Sequence, residues 1–122
     1  MARVGLVRNW EAASLSISAG SSISGCLIVA GRPLVSILMP TSWTAASISF
    51  EGAACPGGTM YPIFDDGGTE VAIPTSGCRL IANQSRLEKL SNVWAFRIRS
   101  GCGAASVIDQ ASARTFVIFY QG

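Results

Sequence analysis

The chain has no histidine, and only 13% of its 122 residues are charged. Without histidine, the usual base for activating a serine or cysteine is missing. The carboxylates left for acid–base work are Glu11, Glu51, Asp65, Asp66, Glu70, Glu88 and Asp109, and only residues 64–71 bring several together. Glycoside hydrolysis needs two acids across a cleft, and the sequence links no such pair. The four cysteines, Cys26, Cys55, Cys78 and Cys102, form no C-x-x-C pair. A structural zinc would therefore need all four thiolates to converge. Four cysteines also allow three disulfide pairings, which spacing cannot rank. Buried, reduced thiols are the expectation for a cytosolic product. C-P-G-G at residues 55–58 lacks the lysine and following helix of a phosphate-binding loop and reads as a turn. No catalytic residue, cofactor or resident metal is expected.

Two further absences narrow the partners. No stretch of about 20 apolar residues is present to cross a membrane. Residues 12–50 carry a single charge, Arg32, but Ser, Gly and Pro interrupt them. The start, MARVGLVRNWEAASL, lacks the continuous apolar run of a signal peptide, so synthesis in the cytoplasm is expected. The nine basic residues are scattered, with only Arg97 and Arg99 close together, and the net charge is +2. That is no footprint for nucleic acid.

What is abundant is small and weakly polar: 16 serines and 13 glycines among 49% apolar residues. A folded monomer of this mass exposes roughly 6,200 Å², or about one charge per 390 Å². Such a surface repels its own copies weakly and favours association.

The hydrophobic pattern has the period of strands. Residues 13–18, ASLSIS, alternate Leu15 and Ile17 with serines. Residues 23–30 and 34–39 flank a G-R-P turn. Ile48 and Phe50 share a face, and residues 59–64, 69–73, 77–82, 93–100 and 114–120 complete the set. Eight or nine short strands with Gly, Pro, Ser or Asn between them predict an all-β, single-domain, jelly-roll-like antiparallel sandwich over residues 1–122. Ser85-Arg86-Leu87-Glu88 fits a capping box for one helical turn, with Leu87 and Leu90 facing inward.

FDDGGTEV, residues 64–71, holds three of the seven acids. On an extended chain adjacent Asp65 and Asp66 point to opposite faces, unlike the alternating ligands of a calcium loop. Asp opens turns, and Gly67 and Gly68 supply positive φ angles, so a hairpin is predicted.

Two strands are apolar on both faces. In LVSILM, Val35, Ile37 and Met39 oppose Leu34 and Leu38; in TFVIFY, Phe116, Ile118 and Tyr120 oppose Val117 and Phe119. A lone sandwich leaves one face of each sheet to water. These strands therefore call for a second cover, either an N-terminal arm of residues 1–12 folded back or another subunit. Trp10, Val117 and Phe119 are the candidate interface residues. Trp94, Phe96, Ile98, Phe116 and Ile118 are candidate core residues. Trp43 and Tyr61 are candidate ligand contacts, although for Trp43 a plug at one end of the sandwich is the favoured reading.

Taken in order, SWTAASISFEG, DDGGTEVAI, WAFRIRSG and ARTFVIFYQ resemble small structural proteins of tailed bacteriophages. The order is also loosely similar to a galactose-binding-type jelly roll. The resemblance spans residues 34–121 and departs at AACPGG, Cys78 and Cys102. It implies a virion component, first a capsid decoration (cement) protein at the capsid surface. Its partners would be the major capsid protein, other virion proteins or sister copies. The alternatives are a neck, tail or fibre-attachment subunit, or a carbohydrate-binding module for a host glycan.

Overall fold

Period-two alternation resolves into nine strands, all paired antiparallel, in a computed structural model that describes residues 10–82, 84–103 and 107–121. They are β1 (Trp10–Ile17), β2 (Leu27–Ile28), β3 (Leu34–Leu38), β4 (Ile48–Ala53), β5 (Tyr61–Pro62), β6 (Ala72–Ile73), β7 (Leu80–Ile81), β8 (Ala95–Ser100) and β9 (Arg114–Gln121). One sheet has the order β1-β9-β3-β7, and the other β2-β8-β4-β5 with β6 also on β4. Strands β1 to β4 and β7 to β9 alternate between the sheets, the winding of a jelly roll. The protein is an all-β sandwich.

The core is the set of inward residues from both sheets. Ile17, Ile37, Ile48, Phe50, Phe96, Ile98, Phe116 and Ile118 are fully enclosed. Phe50 and Phe96 meet edge-to-face at 6.1 Å, the arrangement favoured by ring quadrupoles. A four-residue helix, α1 (Gln84–Leu87), runs into a 3-10 turn at Glu88–Asn92. Between them they add Leu87 and Leu90, both fully buried as the sequence predicts. The helix begins one residue before Ser85, the residue expected to cap it.

The predicted strand positions are all occupied; β2, β3 and β5 to β8 are shorter than expected, whereas β1 and β9 run longer. Residues 10–12 extend β1 instead of forming an arm, because they pair with Phe119, Tyr120 and Gln121. Residues 1–9 lie outside the described residues, and Trp10 is placed by its backbone. In β3 the pairing with β9 shifts between Leu34 and Ser36. A bulge at Val35 turns Leu34 inward beside Ile37 and leaves Leu38 outward, correcting the simple alternation. Trp94, expected in the core, precedes β8 and is only half-buried.

The stretch at residues 64–71 is an insertion in an edge strand. Along β4 the partner changes from Pro62 opposite Glu51 to Ala72 opposite Ser49. Two steps on β4 are matched by ten on the partner, so eight residues, 64–71, loop out as the predicted hairpin. Asp65 N–H donates to Thr69 C=O at 2.8 Å, and Gly68 N–H to Asp65 C=O at 3.0 Å. The Asp65 Oδ1 accepts the backbone N–H of Gly67 and of Thr69, each at 2.9 Å. Only Gly68 of the two glycines takes a positive φ, at 82°. One left-handed residue after a turn is what a three-residue hairpin loop with a bulge requires.

Candidate interaction surface

The two sheets present opposite kinds of outer face. Residues opposite one another in an antiparallel pair share a face, so the register of β1-β9-β3-β7 defines its outer surface. It consists of Ala12, Ser14 and Ser16 on β1, Thr115, Val117, Phe119 and Gln121 on β9, Leu38 on β3, and Leu80 on β7, with Ser36 of β3 on the same side but covered. None of these is charged. Leu38 and Leu80 are cross-strand partners and stay 40% and 60% exposed. Val117 sits opposite Leu38 on one side and Ser14 on the other. Val117 and Phe119, both singled out from the sequence, are half-buried and face outward. The polar side chains are mainly hydroxyls, and Ser16 and Thr115 already bond one another at 3.0 Å. At the Leu38–Val117 end the face dips into a shallow groove of about 470 Å³ between Pro40–Ser42 and Ala113–Thr115.

The second sheet carries its charge outward. Arg97 donates from Nε and Nη2 to Glu51 Oε1 at 2.8 and 2.6 Å. Arg99 Nη1 lies 3.3 Å from Glu70 Oε2, with its side chain only 7% exposed. Glu70 Oε1 also accepts the Gly103 N–H at 2.6 Å, and Arg99 donates to the Gly103 C=O. This network ties the base of the hairpin to the loop after β8. Alternation puts Arg97 and Arg99 on the face opposite Phe96 and Ile98, yet the sequence carried no signal that Glu51 and Glu70 would meet them.

The proposed ligand contacts do not converge. Trp43 packs on the core, meeting Phe116 edge-to-face at 5.4 Å, and its Nε1–H donates to Ala46 C=O at 3.0 Å. It plugs the sandwich. Tyr61 is 66% exposed on β5, opposite Gly52. Thr44, the residue after Trp43, is held by one that sequence reasoning missed, Gln110, which is fully buried. Its Oε1 accepts from Thr44 N–H (2.8 Å) and Arg114 Nε (3.1 Å). Its Nε2 donates to Thr44 C=O (3.1 Å) and Ser100 Oγ (2.8 Å).

The four cysteines are free, but Cys26, Cys55 and Cys78 are exposed and Cys102 half-buried, not buried as expected. Strand ends and turns put them at the surface. Among the described residues, no group of three or more Cys, Asp or Glu could hold a metal ion, and no helix is long and apolar enough to cross a membrane.

A jelly-roll sandwich with one uncharged and one ion-paired face is the class these features define. No protein-family model matches the chain, and no curated protein matches it. Among solved structures it is similar to the SPBc2 prophage-derived protein YomS. The likeness has a TM-score of 0.53 at 10% identity, covering 96% of this chain and 98% of that one. At that identity, the likeness is one of fold.

Proposed function

We propose that the protein is a structural component of a tailed-phage particle, acting as a capsid decoration subunit that packs on capsid proteins through the outer face of β1-β9-β3-β7. The observation that carries this reading is the uncharged face itself, with Leu38 and Leu80 exposed and Val117 and Phe119 half-covered. Hydroxyls and aliphatic groups cost far less to desolvate than charges. A partner can therefore cover that face at lower cost than the face that carries the Arg97–Glu51 and Arg99–Glu70 pairs. The fold shared with a prophage-derived protein supports the phage setting. The mechanism is adhesive: burial contributes about 25 cal/mol per Å² before association costs. Many copies on a lattice then act together, so modest affinity per site suffices.

The test is co-sedimentation of the full chain with empty capsids of its parent phage, alongside light scattering of each component. Saturable binding is expected, weakly sensitive to salt because no charge lies in the contact. Leu38→Glu and Val117→Glu should each abolish binding while leaving the far-UV circular dichroism unchanged. A chain that ignores capsids, or folded variants that bind as well as the parent, would refute the reading. A neck or tail location would show as binding to tail or connector fractions instead. The glycan reading needs Trp43 and Tyr61 on one platform, and Trp43 is already engaged by Phe116 and Ala46.

A further inference from the structure

We propose that the open edge of β1 is where a second copy of this chain adds, antiparallel, about a two-fold axis normal to the sheet. Strand β1 is the outermost strand of its sheet. It pairs with β9 through eight consecutive positions without a shift in register. Among the described residues, its other side is engaged only at the end, where Ile17 bridges to Ser24 and Gly25 N–H donates to Ser16 C=O at 3.4 Å. That bond fixes which main-chain groups look outward. Backbone groups alternate along a strand, so those of Ala12 and Ser14 face the open edge along with Ser16, and those of Ala13 and Leu15 face β9. Among the described residues nothing takes them.

Natural sheets guard such edges with lysine, proline, a bulge or a very short strand. Strand β1 has none of these, and its one charge, Glu11, accepts a hydrogen bond from the Tyr120 hydroxyl at 3.4 Å. A second copy fits because the edge is self-complementary. With Ala13 of each copy on the axis, Ala12 of one faces Ser14 of the other. The two symmetric pairs then make four main-chain hydrogen bonds between small side chains. Glu11 falls opposite Leu15 of the other copy, so the two carboxylates do not meet. The same operation keeps both uncharged outer faces on one side, joining two four-stranded sheets into one continuous surface. So short a contact falls below the roughly 1,200 Å² of stable complexes. The dimer is therefore weak, with a dissociation constant on the order of tens of micromolar. This inference concerns the isolated chain and stands or falls independently of capsid binding.

The test is analytical ultracentrifugation of the full chain across about 5–500 µM, bracketing that constant. The expected result is a reversible shift from the 12.7 kDa monomer towards twice that mass. Ser14→Pro removes an edge N–H that β9 does not use, a substitution edge strands accept. Both copies carry the change, so two of the four main-chain hydrogen bonds are lost, which should weaken the dimer at least about tenfold. Ala12→Lys guards the same edge without touching the backbone, and decides the matter if Ser14→Pro proves unfolded by circular dichroism. A wild-type chain monomeric throughout overturns the proposal, as does a dimer undiminished in the folded variants. Dimers lost in Leu38→Glu but kept in Ser14→Pro would place the contact on the sheet face and overturn it too. Dimerisation seen only after residues 1–9 are removed would assign the edge to that segment and equally overturn the proposal.

Discussion

Replacing Gln110 by alanine should cost about 4 kcal/mol, a large share of the roughly 6–18 kcal/mol expected for a domain of this length. The carboxamide is fully enclosed, and each of its two polar atoms has two partners. Ser100, also at 0% exposure, loses the donor that satisfies its hydroxyl, at about 1–3 kcal/mol for a buried group left unpaired. The N–H and C=O of Thr44 lose their partners too. Thr44 is half-buried and can reach water, so each of those losses is about 0.5–1.5 kcal/mol. The vacated Cγ methylene adds about 0.8 kcal/mol. Urea unfolding followed by tryptophan fluorescence reads the result. With a slope of about 2 kcal/mol/M, the midpoint should fall by about 2 M. Gln110→Leu refills the volume but restores no hydrogen bond, so it should recover only the last 1 kcal/mol or so. A loss under about 1 kcal/mol for Gln110→Ala, or near-complete recovery with leucine, would refute the claim that hydrogen bonding, not packing, fastens this loop. The same loop walls the groove beside Leu38 and Val117, so a loosened Thr44 should also weaken association through the uncharged face.

Three further outcomes follow from local geometry. A Cβ at Gly77 would lie 2.9 Å from Thr41 O and 3.1 Å from Pro40 O, both backbone atoms; Gly77→Ala should cost about 2 kcal/mol and lower the melting temperature by about 5–10 °C in calorimetry. Ala30 holds a φ of 50° in the turn closed by Arg32 N–H to Val29 C=O, so Ala30→Gly should raise stability by about 0.5–1 kcal/mol in the same scan. Glu70→Ala leaves the enclosed Arg99 without its counter-charge and should cost about 2–3 kcal/mol in urea, whereas Glu51→Ala, beside the 30% exposed Arg97 side chain, should cost less than about 1 kcal/mol.

Strand positions were legible because a half-buried strand must alternate, and that constraint leaves its mark residue by residue. Phe116, Ile118 and Tyr120 point in, and Val117 and Phe119 out, as TFVIFY requires. The rule fails where the backbone departs from an even pleat. The Val35 bulge reverses Leu34, and no residue type there announces it. Trp94 fits the inward period, but β8 begins one residue later, so the period does not reach it. The hairpin was readable from Asp65 and the glycines, since turn chemistry is local. Its place as an insertion between β5 and β6 was not, because it depends on which strand β4 accepts beside it. Gln110 illustrates the same limit. A lone glutamine in SVIDQASAR looks like a solvated loop residue until the fold places Thr44, Ser100 and Arg114 around it. The uncharged face was half-visible for this reason: its apolar residues are written in two strands, but its extent depends on Ala12, Ser14 and Leu80 arriving from elsewhere.

The division of charge between the sheets gives the molecule a direction. Arg97, Arg99, Glu51 and Glu70 are drawn into pairs on one side, where each carboxylate lowers the cost of burying its arginine. Without those charges on the other side, little there resists desolvation except hydroxyls. Ser16 and Thr115 already satisfy each other, so a partner covering them breaks one fewer contact with solvent. A patch of Leu38, Leu80, Val117 and Phe119 on that background is large enough to reward a partner yet too interrupted by serine to force collapse between free copies. That balance is what the proposed decoration role requires: copies that stay apart while dilute and are held when a lattice presents many sites at once.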